Sequence, residues 1–183
     1  MARPRWAGSG EVSVVAPRAD VVVVVHPTVA LHGRVVGGSV QGIALWNPAE
    51  GNPGPRAPLD ADGRFALRGL PPRPGLLYIT DGVGDRYVLV DRVSPGEAPL
   101  ELAWSDGAAI EGRVVGLPAQ TSVGIEAVAG AFTAGASTSV DGTFRIRALP
   151  PGRYRLRLAG SYRGGSEDVA AGTSGVLVTA VSR

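Results

Sequence analysis

An internal repeat constrains this chain more than any other feature of its sequence. Gly33-Arg34-Val35-Val36-Gly37 recurs unchanged as Gly112-Arg113-Val114-Val115-Gly116, 79 residues later. At the same displacement Asp62-Gly63-Arg64-Phe65-Ala66-Leu67-Arg68-Gly69-Leu70-Pro71-Pro72 meets Asp141-Gly142-Thr143-Phe144-Arg145-Ile146-Arg147-Ala148-Leu149-Pro150-Pro151. Two blocks sharing one displacement mark a duplication, so the chain is expected to fold as two similar units in tandem. Apolar runs at Leu100–Trp104 and Val176–Val181 close the units, which gives boundaries of 28–104 and 107–183 with Ser105 and Asp106 as linker. A further copy of the closing run is Val21–Val25, so residues 1–27 resemble the tail of an upstream unit of a longer chain. The alternative is that Val12–Val15 and Val21–Val25 form a hairpin docked on the first unit, and this is the favoured expectation.

Within each unit, short apolar runs broken by glycine and proline read as strands rather than helices. In the first they lie near 30–36, 42–46, 64–68, 76–80, 86–91 and 100–104, and in the second near 110–115, 123–128, 143–147, 153–158, 167–169 and 176–181. About seven short strands and no helix per unit predict an all-β fold of two tandem antiparallel β-sandwich modules. In the second unit Phe144, Ile146, Tyr154, Leu156 and Leu158 share one parity, and Arg145, Arg147, Arg153, Arg155 and Arg157 the other. This alternation predicts an antiparallel hairpin with one face in the core and an arginine face in water. Asp-Gly at 62–63 and 141–142 supplies the turn entering each hairpin, and Leu-Pro-Pro the stiff connection inside it.

Composition removes several classes of chemistry. With 27 glycines and 15 prolines the chain is rich in turns, yet 44% hydrophobic residues place it with folded proteins. There is no cysteine, so disulfides, thiolate metal sites and thiol nucleophiles are excluded. All 18 basic residues are arginine, which excludes a phosphate-loop lysine, Schiff-base chemistry and a lysine isopeptide crosslink. The formal charge of +2 does not point to nucleic acid. No apolar run reaches the roughly 18 residues of a membrane span. Met1–Gly10 lacks the apolar stretch of a secretory signal, so an extracellular or envelope location is expected only as part of a longer exported protein.

Gly-Arg-Val-Val, the Gly42-Ile43-Ala44-Leu45 strand, Asp60-Ala61-Asp62-Gly63-Arg64-Phe65-Ala66-Leu67-Arg68-Gly69-Leu70-Pro71-Pro72 and Asp141-Gly142-Thr143-Phe144 through Pro151-Gly152-Arg153-Tyr154-Arg155-Leu156 together resemble the carboxypeptidase regulatory-like domains. The resemblance covers residues near 28–183. It implies a transthyretin-like, or prealbumin-like, sandwich of the carbohydrate-binding-like fold, and a mostly non-catalytic module attached to a larger protein. The chain departs from the pattern at the inserted Arg73-Pro74 and in the long proline-rich loop Asn47–Pro58.

A catalytic zinc site needs about three protein ligands and a carboxylate, and the only histidines, His26 and His32, begin no His-x-x-Glu or His-x-x-x-His pair. No metal and no cofactor are expected. Asp60-Ala61-Asp62-Gly63 resembles half of a calcium loop but lacks the later carboxylate, so a plain turn is expected there. No Gly-x-Ser-x-Gly elbow occurs. Trp46 is the candidate binding aromatic: setting Leu45 against Ile125 sets Trp46 against Glu126, which predicts an outward tryptophan that stacks on a sugar, unless the Asn47–Pro58 loop covers it. Tyr78 is its candidate companion. The second candidate site is the arginine face, Arg145, Arg147, Arg153, Arg155 and Arg157, which needs nearby carboxylates or an anion to offset its repulsion. The first unit offers Ala66, Arg68 and Tyr78 at comparable places. The reading is a non-enzymatic tandem β-sandwich, a spacer or interaction module of a larger surface or envelope protein, whose partner is an acidic glycan or acidic protein surface. The alternative is a carbohydrate-binding module using Trp46 and Tyr78.

Overall fold

The computed structural model describes residues 28–37, 41–48, 54–96 and 98–182. The expected hairpin of Val12–Val15 and Val21–Val25, and His26, lie outside the described residues. The first repeat comprises β1 (Val29–Val36), β2 (Ile43–Pro48), β3 (Arg56–Pro58), β4 (Arg64–Leu70), β5 (Gly75–Thr80), β6 (Arg86–Val93), β7 (Leu100–Ala103) and β8 (Ser105–Asp106). The second comprises β9 (Ala108–Val115), β10 (Gly124–Ala129), β11 (Phe132–Ser137), β12 (Thr143–Leu149), β13 (Arg153–Leu158), β14 (Tyr162–Arg163), β15 (Gly165–Ala170), β16 (Val176–Thr179) and β17 (Val181–Ser182). The described residues contain no helix, and the fold is all-β.

The two repeated sequence blocks are partners across a strand pair. Gly33 on β1 stands opposite Phe65 on β4, and Gly112 on β9 opposite Phe144 on β12. A Cβ at either glycine would come within 2.6 Å and 2.8 Å of the phenylalanine Cζ, so only glycine lets the ring lie flat across the strand. The arginine beside each glycine secures the far turn: Arg34 Nε donates to the Asp62 carbonyl at 3.0 Å, and Arg113 Nε to the Asp141 carbonyl at 2.9 Å. The turn itself needs Asp-Gly, because Gly63 and Gly142 have φ of 76° and 86° and the aspartates bond their own backbone. Asp60 Oδ1 accepts from the amides of Asp62 and Arg64, and Asp141 Oδ1 from the amide of Thr143. Hydrogen bonds from Arg64 and Thr143 are the main cause that holds the Asp60 and Asp141 carboxyls below the ordinary aspartate range.

In each repeat two sheets face each other. The order β4-β1-β7 packs on β3-β2-β5-β6-β8, and β12-β9-β16 packs on β11-β10-β13-β15. Most pairs are antiparallel, but the closing strands β7 and β16 run parallel to β1 and β9, so the three-stranded sheets are mixed. The expected linker Ser105–Asp106 is a short strand paired to β6.

The expected hairpin is corrected. β12 pairs with β9, whereas β13 pairs with β10 and β15, so the Leu149-Pro150-Pro151 connection crosses from one sheet to the other. Phe144 and Ile146 therefore meet Tyr154, Leu156 and Leu158 across the core instead of lying beside them. β4 and β5 are divided between sheets in the same way.

Candidate functional site

Trp46 is fully buried, so the expectation of an outward aromatic is corrected. Ala44 and Trp46 stand opposite Ile79 and Leu77 as Ile125 and Ala127 stand opposite Leu158 and Leu156. The true counterpart of Trp46 is thus Ala127, because the connection before β2 is two residues shorter than the one before β10. The expected alignment is one residue out, and in a strand a one-residue slip exchanges the faces. The indole lies on Gly75, where a Cβ would approach it to 2.4 Å, and the Trp46 amide donates to the Pro55 carbonyl of the covering loop.

Tyr78 is buried as well, at the joint between the repeats. All of Gly75–Ile79 is buried, the pattern of a strand covered on both faces. Leu77 and Ile79 belong to the first core, while Leu76 and Tyr78 belong to the core cluster of the second repeat. The Tyr78 ring meets Phe132 of β11 edge-on at 4.8 Å, and its hydroxyl donates to the Ala148 carbonyl of β12 at 2.9 Å. One side chain is thereby fixed to both sheets of the second sandwich. Burial pushes the hydroxyl far above the ordinary tyrosine range, so it stays a donor.

The turn between β5 and β6 completes the joint. Inside it, buried Asp81 accepts from the Gly84 amide at 2.9 Å and pairs with Arg86 at 3.2 Å. Arg145 of β12 bonds Asp85 at 2.7 Å and also Glu111 on the neighbouring strand. The Asp85 bond is the main cause that raises the guanidinium above its ordinary value. Arg147 donates to the Val83 carbonyl at 3.1 Å, and the Gly107 amide to the Asp85 carbonyl at 2.8 Å.

A single arginine face does not form, because β12 and β13 lie in opposite sheets. Arg145 and Arg147 serve the joint, while Arg153, Arg155 and Arg157 stand on the far outer surface. There Arg157 pairs with Glu126 at 2.6 Å and Arg153 pairs with Asp168, whose carboxyl it holds below the usual range. Arg155 has no ionic partner among the described residues. Carboxylates therefore offset three of the five arginines, Arg145 on one surface and Arg153 and Arg157 on the other.

Sequence reasoning missed Asp85, Val83 and Phe132 as joint residues. The available signal was the unbroken apolar run of Gly75-Leu76-Leu77-Tyr78-Ile79, which fits two covered faces, against the alternating Arg153-Tyr154-Arg155-Leu156-Arg157-Leu158.

No protein-family model matches the chain, and no curated protein matches its sequence. Among solved structures it is similar to the Bacillus anthracis TIE protein, with 16% identity over 84% of this chain and 34% of that one, at a TM-score of 0.29. A streptococcal ancillary pilin shares 13% identity over 85% of this chain and 62% of that one, at a TM-score of 0.30. GBS52, the minor pilin of Streptococcus agalactiae, shares 13% identity over 84% of this chain and 97% of that one, at a TM-score of 0.29. The chain spans less than two thirds of the first two.

Proposed function

We propose that the chain is a non-enzymatic pair of β-sandwich modules, 28–104 and 107–183, of the carboxypeptidase regulatory-like type, serving as a stiff spacer in a larger surface or envelope protein. The observation that carries the reading is the buried joint: Tyr78 is tied to β11 and β12, and Arg145 and Arg147 grip the β5–β6 turn. Loose inter-domain contacts allow motion, whereas an apolar face shared by two cores resists it. A structural role for Asp60, Asp141 and Asp168 is supported by their partners, which are turn amides, the Thr143 hydroxyl and Arg153.

Small-angle X-ray scattering on the wild type and on Tyr78→Arg tests the spacer reading. A single compact arrangement is expected for the wild type, with a broadened distance distribution in the variant. A wild type that scatters as two freely jointed bodies overturns it.

A further inference from the structure

Beyond the spacer reading, we propose that the mouth of the joint binds an extended acidic peptide by strand addition to β11. A cleft of about 360 Å³, lined by Tyr78, by β11 and by Arg145 and Arg147 of β12, opens against the outer face of β2 and β5. Its size is within the range of ligand clefts, roughly 300 to 1,000 Å³.

Three features of this cleft point to one kind of occupant. Four consecutive residues of β11, Thr133 to Ala136, line it, and β11 is the outermost strand of its sheet. An outer strand presents a row of amides and carbonyls that an extended chain can pair with. Three guanidinium groups, Arg56, Arg145 and Arg147, border the same opening. Arg145 is neutralised by Glu111 and Asp85, but Arg147 bonds a carbonyl and Arg56 has no ionic partner among the described residues. Cationic donors therefore remain for an incoming carboxylate. The floor, finally, is apolar, and it holds Ile43, which is 40% exposed.

A strand turns alternate side chains to opposite sides. Arg56 stands opposite Leu45 across the β2–β3 pair and so shares the face of Ile43 and Leu45. A peptide of alternating acidic and apolar residues on β11 would turn its acids to that face, where Arg56 stands, and its apolar side chains away from it. A glycan supplies the acids but no backbone amides for the strand edge.

The test is titration of the wild-type chain with an acetylated Val-Asp-Val-Glu-Val-Asp amide at low salt, followed by calorimetry and by amide shifts. The expected result is saturable binding, with shifts centred on 133–136, and a loss of affinity of about tenfold or more in Arg56→Glu. Lysine in place of the peptide acids, or N-methylation of its backbone, is expected to abolish binding; these arms need no change in the protein. Equal affinity for the N-methylated peptide, unchanged affinity in a folded Arg56→Glu, no binding at low salt, or binding of an oligo-uronic acid in preference to the peptide would each overturn the proposal. None of these outcomes bears on the stiffness of the joint, so the two readings fail separately.

Discussion

The same sheet face has opposite character in the two repeats. In the first it carries Leu45, Leu76 and Tyr78; in the second the corresponding positions are Glu126, Arg155 and Arg157. The apolar set is covered by the other repeat, and the charged set faces water, with Glu126 paired to Arg157. The inner faces, by contrast, are alike: Leu77 and Ile79 match Leu156 and Leu158. Folding of each sandwich depends on the inner face, while the outer face decides whether a second sandwich docks there. In stacked repeats a polar outer face is what ends a stack, and β13 fits that description.

The largest effect is expected where the repeats agree. Phe65→Ala and Phe144→Ala each remove a ring lying on a strand glycine, and each should cost roughly 3 to 5 kcal/mol in chemical denaturation. A difference between them of more than about half that range would break the equivalence of the two cores. Next, Glu126→Leu with Arg155→Leu and Arg157→Tyr gives the second repeat the outer face of the first. The variant is expected to associate in analytical ultracentrifugation where the wild type sediments unchanged, and a variant that sediments as the wild type does would mean that face polarity is not what separates the repeats. Smallest is Tyr78→Phe, which keeps the ring and deprives the Ala148 carbonyl of its donor, for an expected loss of about 1 to 3 kcal/mol.

Much of this architecture was legible in the sequence, and for identifiable reasons. The displacement of 79 located both cores, since Gly33 with Phe65 and Gly112 with Phe144 are one contact made twice. The closing strand at Leu100 was legible from the same displacement through Val21–Val25, and the one at Val176 as a weaker copy of that apolar run that lies off the displacement. Alternation showed that Phe144, Ile146, Tyr154 and Leu156 face a core, but parity is the same whether two strands sit side by side or face to face. It therefore misplaced Arg145 and Arg155 on one surface. Trp46 was lost to a two-residue difference in loop length, to which face assignment in a strand is acutely sensitive. Asp85 and Val83 lie in a turn whose role depends on the other repeat, and nothing local signals it.

The most direct test of the joint is the relative orientation of the repeats in solution, measured by residual dipolar couplings from amides of β1–β8 and of β9–β17. The packing of Tyr78 against β11 and β12 predicts that one alignment tensor fits both sets in the wild type. Two independent tensors of different magnitude would contradict it, because repeats that reorient freely cannot keep Tyr78 buried between them.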